Sequence, residues 1–582
     1  FRDLAAWKRQ KGYDVVIKTI EDIYADSRYA IGGTFTVGGR EESIVDSAAS
    51  LRAYLAGQFQ EYGSYFCLLA GDYRTPMPIR KAYLSNYINY EYNRNYNGEN
   101  FIQTDNYFSD FTTKWNITLH KGCNRYSYND MGFSPDIFIG RLLCSRPEEV
   151  CNYFYKLKLY EAHPGRGNDS YLSKSFHFMD VEMLNYYNII SSRFDPFGRE
   201  NTVVAADSCQ LGGSSLPHSG ADIIRYMHRM GFNSFHGHGS PATIECCRLT
   251  HFITPIDSYD LSETALDEWS DRNRTPGRGL DKMDNEDYPS IIYATSCITT
   301  PFDKFEYKDG HVFDIPYNFG GSFTVAGNYG GPAYIGATRS SRREINAKLE
   351  AEWGVQIMNN HKIGVAQALA KNLFLTTDSI EPRLFQLIGE PEFEMWLGKP
   401  GRMKINVRNT DSDVLVISSE LEGSTVCVFD GKSNKIVRNP LASGAMLQHI
   451  ALLSHYTLSV WKSGFLPFIR FYGLHGTLSG LDEKFIVLDA EIGEQYSGTL
   501  PADRAFCVGS NAKLTIEAMK AVNVNRSCII EEGGTLTIAG DDKVTLNCTV
   551  KRGGKLKVTA KSIQMGSGFT VEPGGTLDIQ YK

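Results

Sequence analysis

Short apolar runs that alternate with amphipathic helical stretches over the first 400 residues constrain this chain more than any other feature. LAAWKRQKGYDVVIKTI predicts a helix ending near Gly12 and then a buried strand over Asp14–Thr19. SIVDSAASLRAYLAGQFQEYG predicts an amphipathic helix, and YFCLLAGD the strand after it. The alternation continues with strand DIFIGRL at 136–142, helix PEEVCNYFYKLKLYEA at 147–162 and strand KSFHFMD at 174–180. Helix ADIIRYMHRMG at 221–231 follows, then strands FNSFHGHGS at 232–240 and SIIYATSC at 290–297. Strands this short and this apolar are buried on both faces. The expected fold class is therefore α/β, a mostly parallel sheet flanked by helices. Sheets of that kind carry their sites at the carboxyl ends of the strands.

Beyond residue 400 the pattern changes. Period-2 stretches such as MKINVRN, VLVISSE, STVCVFDG and YTLSVW between 401 and 475 predict a small β-sandwich of immunoglobulin-like size. The last hundred residues repeat. Leu514, Leu536, Leu556 and Leu577 recur every 20–22 residues, three of them after Gly-Gly turns at 533, 553 and 574. A unit that small cannot bury its own apolar face, so 480–582 is expected to stack as a β-solenoid. Cys507, Cys528 and Cys548, which precede these leucines, are expected to form an inward ladder. The expected units are 1–165 and 166–400, two α/β subdomains, followed by 401–475 and 480–582.

Composition excludes several classes. A net charge of −7 argues against nucleic acid or an anionic membrane as the main partner. No apolar run is long enough to predict a membrane-spanning helix. The opening FRDLAAWKRQKGYDVV already reads as domain sequence, so any signal peptide or pro-segment is expected to have been removed. Twelve cysteines without a CxxC pair suit neither a disulfide scaffold nor a zinc ribbon. YLSNYINYEYNRNYNGENF at 83–101 reads as a solvated loop, with peptide or glycan binding as the alternative.

The sharpest chemical signal is FHGHGSP at 235–241, where two histidines and two glycines end an apolar strand. The second is IIYATSC, a buried strand ending in Cys297. Parallel strands that end in His238 and Cys297 at one sheet edge can join imidazole to thiol. That pairing favours the thiolate and supplies a proton for the leaving group. Backbone N–H groups of Gly239 and Cys297 are the candidate oxyanion donors. Two other readings remain open: a packed cysteine beside a hydrogen-bonded histidine, and zinc held by His236, His238 and Cys246 or Cys247. No GxSxG elbow points to a serine nucleophile.

The HisGlySer at 238–240 and the strand ending in Cys297 resemble the gingipain-like cysteine peptidases, family C25 of the caspase-like clan. AWKRQKGYDV, LLAGDYRTPMP, TDNYFSD, DIFIGRL, GGPAYIGATRSS and IGEPEFEMW are similar to that family's landmarks and occur in order over about 1–400. The resemblance implies that Cys297 is the nucleophile, His238 the catalytic base and acid, and Gly239 an oxyanion donor. It also implies an orienting carboxylate after KSFHFMD, with Asp180 first and Glu182 second. A following immunoglobulin-like domain is implied as well.

The resulting expectation is a secreted or cell-surface bacterial cysteine endopeptidase acting on proteins or peptides through a thioester. It requires no cofactor, with calcium as a conceivable structural ion and attachment to the cell surface as a further expectation. A peptidase-like adhesion protein is the alternative. In arginine-selective relatives an Asp stands where the best register puts Met183 here, with Glu182 one residue away. Arg339, Arg342 and Arg343 follow IGATRSS on the opposite wall. The pocket candidates Glu182, Met183, Arg339 and Arg343 thus predict a neutral or acidic preference rather than strict Arg or Lys selectivity. The polar insert at 267–289 reads as a lid or processing loop.

Overall fold

The computed structural model describes residues 1–75, 77–83, 101–120, 123–128, 133–180, 183–194, 200–205, 219–247, 251–259, 276–304, 315–375 and 380–403. It also describes 405–410, 414–419, 423–429, 434–438, 444–449, 455–473, 490–492, 498–499, 506–508, 513–518, 521–523, 528–530, 532–540 and 542–582. Most of the Tyr-rich loop, the first part of the 267–289 insert, and Glu182 lie outside these residues. The described contacts form two compact units. One is Lys18–Tyr160 with Ser170–Lys399; the other is Phe1–Ile17 with Glu161–Asp169 and Pro400–Lys582.

The first unit is built on an eight-stranded sheet. In chain order its strands and one hairpin are β1 (Phe66–Ala70), β2 (Phe138–Leu142), β3 (Lys174–Met179), β4 (Glu200–Ala205) and β5 (Phe232–His236), then the hairpin strands β6 (Ile244–Cys247) and β7 (His251–Ile253), then β8 (Ile291–Ala294), β9 (Ala333–Ala337) and β10 (Phe385–Gly389). The sheet order is β4-β3-β5-β8-β9-β10-β2-β1. Strands β4, β3, β5, β8 and β9 are mutually parallel. β10 pairs antiparallel with β9 and parallel with β2, which is parallel to β1. The sheet is therefore mixed: two parallel blocks run in opposite senses.

Alternate side chains of the block β3-β5-β8 serve two cores. Phe176, Phe178, Phe235, Ile292 and Ala294 face Ile223, Ile224 and Met227 of helix Gly220–Met227. That helix starts where Ser219 and Asp222 satisfy each other's backbone N–H in a capping box. On the other face Trp353, from helix Arg343–Met358, lies 5.7 Å from the Phe232 ring and 5.2 Å from Tyr293.

The chain leaves β3 toward β4 at one edge and then returns to place β5 on β3's other side. Strand order thus reverses between β3 and β5, a switch point at whose carboxyl ends sheets of this kind bind ligands.

In the second unit, helix Arg2–Gln10 sets Trp7 edge-on to Trp461 at 5.4 Å, and Trp7 Nε1 donates to Glu161 at 2.7 Å. These contacts group the N-terminus with 400–582, where the expected boundary attached it to the sheet. The buried strand expected over Asp14–Thr19 does not form. The segment has no regular structure, and Val16 and Ile17 are 66% and 49% exposed.

The described strands between 405 and 473 pair antiparallel with one another, while Phe465–Leu466 pairs parallel with Gly401–Arg402. From 490 onward the strands stack in parallel ladders, with Leu514, Leu536, Leu556 and Leu577 in register. The first glycine of each Gly-Gly turn has φ of 76°, 76° and 91°, a backbone conformation that favours glycine. Cys528 aligns with Cys548, but Cys507 aligns with Ile529. The expected three-cysteine ladder is corrected to a single step, because the spacing between Cys507 and Cys528 falls one residue short of the offset that pairs Leu514 with Leu536.

Candidate functional site

Four neighbouring parallel strands deliver the candidate residues to one edge. Asp180 follows β3, His238 lies two residues past β5, Cys297 three past β8 and Ser341 four past β9. Asp180 N donates to His236 O at 2.7 Å, and Thr295 N donates to Phe235 O at 2.8 Å, which ties the three strand ends together.

After Cys297 the chain turns sharply. Ile298 has φ of 52°, an uncommon conformation for a β-branched residue, and is held there by burial and by its N–H to Arg339 O at 3.3 Å. The turn places Cys297 Sγ against Ser341. Ser341 N donates to Sγ at 3.4 Å, its hydroxyl lies 3.8 Å away, and Sγ lies 3.6 Å from Ser341 O. Asn346 Nδ2 in turn donates to Ser341 Oγ at 2.8 Å. Burial pushes the Cys297 thiol up, and the Ser341 N–H and hydroxyl pull it back down. Smaller contributions come from Glu381, which raises it, and Arg343, which lowers it. Ser341 also stands at the start of helix Arg343–Met358, where the helix dipole favours a thiolate.

His238 is partly exposed and lies beside Cys297 through Gly239. A Cβ on Gly239 would fall 2.7 Å from Cys297 O and 2.8 Å from Ser296 Cβ, so only glycine fits. The bridge between Gly239 and Ile244 is carried by Glu245 N to His238 O at 2.9 Å and Ser240 N to Thr243 O at 2.8 Å. Gly239's own N–H therefore points away from that hairpin. Arg343 Nη2 lies 2.8 Å from His238 Nε2. A guanidinium only donates, so Nε2 accepts and the ring proton sits on Nδ1. In this arrangement the start of helix Arg343–Met358 holds both groups: the thiol through Ser341 and the imidazole through Arg343.

The other expected residues are placed as follows. Asp180 is 2% exposed, and a carboxylate oxygen of Asp180, one of Glu245 and a ring nitrogen of His238 lie within 4.8 Å of one another. Met183 is buried, and its N–H donates to Asp180 O at 2.8 Å. Arg339 is 3% exposed and is engaged by Asp303 at 2.9 and 3.0 Å, Gln103 at 3.1 Å and Thr338 O at 2.7 Å. Arg342 binds Glu381 through its N–H at 2.9 Å and Nε at 3.0 Å. Both ring nitrogens of His236 are taken. Nδ1 lies 2.7 Å from Thr295 Oγ1, and Nε2 lies 2.7 Å from Glu350 and 3.0 Å from Ser234 Oγ. The paired-histidine zinc alternative finds no ligand there.

Sequence reasoning missed Glu245, Ser341 and Glu381. Glu245 had a signal: GHGSPATIE is a turn between two short extended stretches, which sets Glu245 across from His238. Ser341 and Glu381 had none, since their roles depend on how separate strand ends meet.

Glu381 yields a pH prediction. Burial raises its carboxyl to about 7 despite the opposing hydrogen bonds from Arg342. A carboxyl raised in the folded state binds more protons folded than unfolded between its two values. Its stabilising contribution is therefore full below the unfolded value and is lost as pH rises through about 7. Glu381→Gln should remove a loss on the order of 3 kcal/mol between pH 4.5 and 8. Urea unfolding at both pH values measures it, and an identical pH dependence in variant and wild type would rule it out.

The family model described as Peptidase family C25 matches residues 1–396. Among solved structures, that of the Arg specific cysteine proteinase gingipain R (RGPB) is 14% identical with a TM-score of 0.56, over 81% of this chain and 94% of that one. A complex of Porphyromonas gingivalis RgpB pro- and mature domains is also 14% identical with a TM-score of 0.56, over 81% and 96%. A third, described only as the structure of a protease, is 14% identical with a TM-score of 0.52, over 80% and 92%. No curated protein sequence matches the chain. The likeness establishes a gingipain-like α/β fold with a mixed sheet flanked by helices.

Proposed function

The chain belongs to peptidase family C25, and on that premise we propose that it is a cysteine endopeptidase with Cys297 as nucleophile and His238 as general base and acid. The observation that carries this reading is the meeting of two strand ends, with Gly239 seated on the Cys297 backbone beside the imidazole. His238 takes the thiol proton, and the thiolate attacks the scissile carbonyl carbon. The N–H groups of Gly239 and Cys297 hold the resulting oxyanion. The imidazolium then protonates the departing amine and leaves a thioester, which water hydrolyses with His238 acting again as base. Asp180 orients the ring. No cofactor enters these steps, and calcium remains a proposal for a structural ion. A thiol-directed alkylating peptide should label Cys297 alone. Labelling that is spread over several cysteines and unaffected by His238→Ala would sink the reading.

Arg343 has to leave Nε2 before that nitrogen can serve the thiol. An acidic substrate side chain would offer the guanidinium a stronger, charge-assisted partner. A positional peptide library should therefore show Asp, Glu or neutral residues preferred over Arg and Lys. Arg343→Ala should cut the acidic preference by roughly 10- to 100-fold. A sharp Arg preference in the wild type would refute this. One structure resembled here is of the Arg specific cysteine proteinase gingipain R, so the specificity proposed for this chain differs from that protein's.

The contacts of Sγ with Ser341 and of His238 with Arg343 also suit a catalytically weak, peptidase-like binding protein, and the labelling experiment separates the two readings. We further read 401–475 as an immunoglobulin-like sandwich and 480–582 as a β-solenoid, modules suited to a secreted or surface-attached enzyme. No helix among the described residues is long and apolar enough to cross a membrane.

A further inference from the structure

Two carboxylates, not one, converge on His238. Asp180 arrives from the end of β3 with its backbone pinned to His236 O. Glu245 arrives from β6, with its N–H bonded to His238 O at 2.9 Å. Each is 2% exposed, and their oxygens and a ring nitrogen of His238 lie within 4.8 Å of one another. The neighbouring thiol of Cys246 registers both charges. Burial is the main cause that pushes it up, and Glu245 and Asp180 each add to the rise.

Two buried carboxylates this close repel unless cations lie between or beside them. The cationic partners at hand are His238 itself, when protonated, and Arg343, 2.8 Å from Nε2. Two negative charges therefore face two positive ones once the imidazole takes the thiol proton. With Arg343 drawn to a substrate carboxylate, the carboxylate pair still faces the imidazolium. A single Nδ1–H satisfies one carboxylate at a time, so the second acts through its charge.

We propose that Glu245 is a second positioning residue for His238, sharing with Asp180 the task of holding the imidazolium during acylation. The proposal rests on the Cys297–His238 peptidase reading. The charged and titratable groups that face the ring or its partners are Asp180 after β3, Glu245 and Cys246 on β6, Cys297 after β8 and Arg343 at the start of its helix. Glu381 acts on Cys297 from segment Glu381–Leu384.

The test is kcat/KM against pH, on one peptide substrate, for wild type, Glu245→Gln, Glu245→Asp, Asp180→Asn and the double variant Asp180→Asn with Glu245→Gln. Glu245→Gln and Asp180→Asn should each lose about tenfold in kcat/KM. Each should also move the alkaline limb, where the imidazolium gives up its proton, about one pH unit lower. Glu245→Asp should restore the limb, and the double variant should fall to the level of His238→Ala. A uniform loss in Glu245→Gln with the limb unmoved would make Glu245 merely structural and overturn the proposal. Asp180→Asn decides the matter even where Glu245→Gln fails to fold, because activity as low as that of His238→Ala would mean Asp180 works alone. The two failures are distinguishable. If Cys297→Ala cleaves as well as wild type, the peptidase reading itself has fallen, and this proposal with it.

Discussion

Cys297→Ala and His238→Ala should each lower peptide hydrolysis by at least about 10⁴-fold, while circular dichroism and the unfolding midpoint should stay close to wild type. The size follows from what each deletion leaves. Without Sγ no thioester forms, and the oxyanion donors alone accelerate attack by water only weakly. Without the imidazole, the thiol stays in a buried site that pushes its ionisation up, with Ser341's two donors and, more weakly, Arg343 working the other way. Little thiolate then exists at neutral pH, and nothing protonates the amine. The fold tolerates both changes for reasons on the same page. Cys297's side chain makes only long contacts, 3.4–3.8 Å, with Ser341. His238 is partly exposed and ends no core element. Cleavage that persists in Cys297→Ala would place the nucleophile elsewhere.

How much of this was legible depended on whether a feature is local. SIIYATSC announces itself as a buried strand, because β8 is Ile-Ile-Tyr-Ala with no charged residue to interrupt it, whereas β5 is buried throughout although it carries Asn233, Ser234 and His236. A buried parallel strand ending in a chemically active residue already points at a sheet edge, so His238, Gly239 and Cys297 were within reach as candidates, while Asp180 rested on the family resemblance. Strand sense was not. LFQLIG reads the same whether β10 runs with or against β9, and the helical connection between them decides it. YDVVIKT has a strand's composition, yet no strand among the described residues pairs with it and Val16 faces solvent. Ser341 and Arg343 meet Cys297 and His238 across 44 and 105 residues of sequence, and no window of sequence carries such a distance.

His236→Ala separates the two histidines of the HGH motif. His236 is 1% exposed, and its ring is the peg between β5, β8 and helix Arg343–Met358. Deleting it leaves Glu350, fully buried, with Ser234 Oγ at 2.6 Å as its remaining hydrogen-bond partner in the cluster. Breaking a buried pair from one side costs about 3–5 kcal/mol, because the orphaned charge stays where water cannot reach it. The expected result is a large fall in unfolding free energy. At a temperature where the variant remains folded, kcat/KM should drop far less than in His238→Ala, since the reacting atoms are intact. The source of the instability can itself be checked. If the orphaned carboxylate causes the loss, His236→Ala combined with Glu350→Gln should be more stable than His236→Ala alone, a coupling between the two sites that urea unfolding of all four proteins measures. Additive losses would place the cost in the cavity instead. Equal loss of activity at both histidines, reproduced by a chelator, would point to a bound metal and against the division of labour in which His238 does chemistry and His236 holds the strand ends that bring it to Cys297.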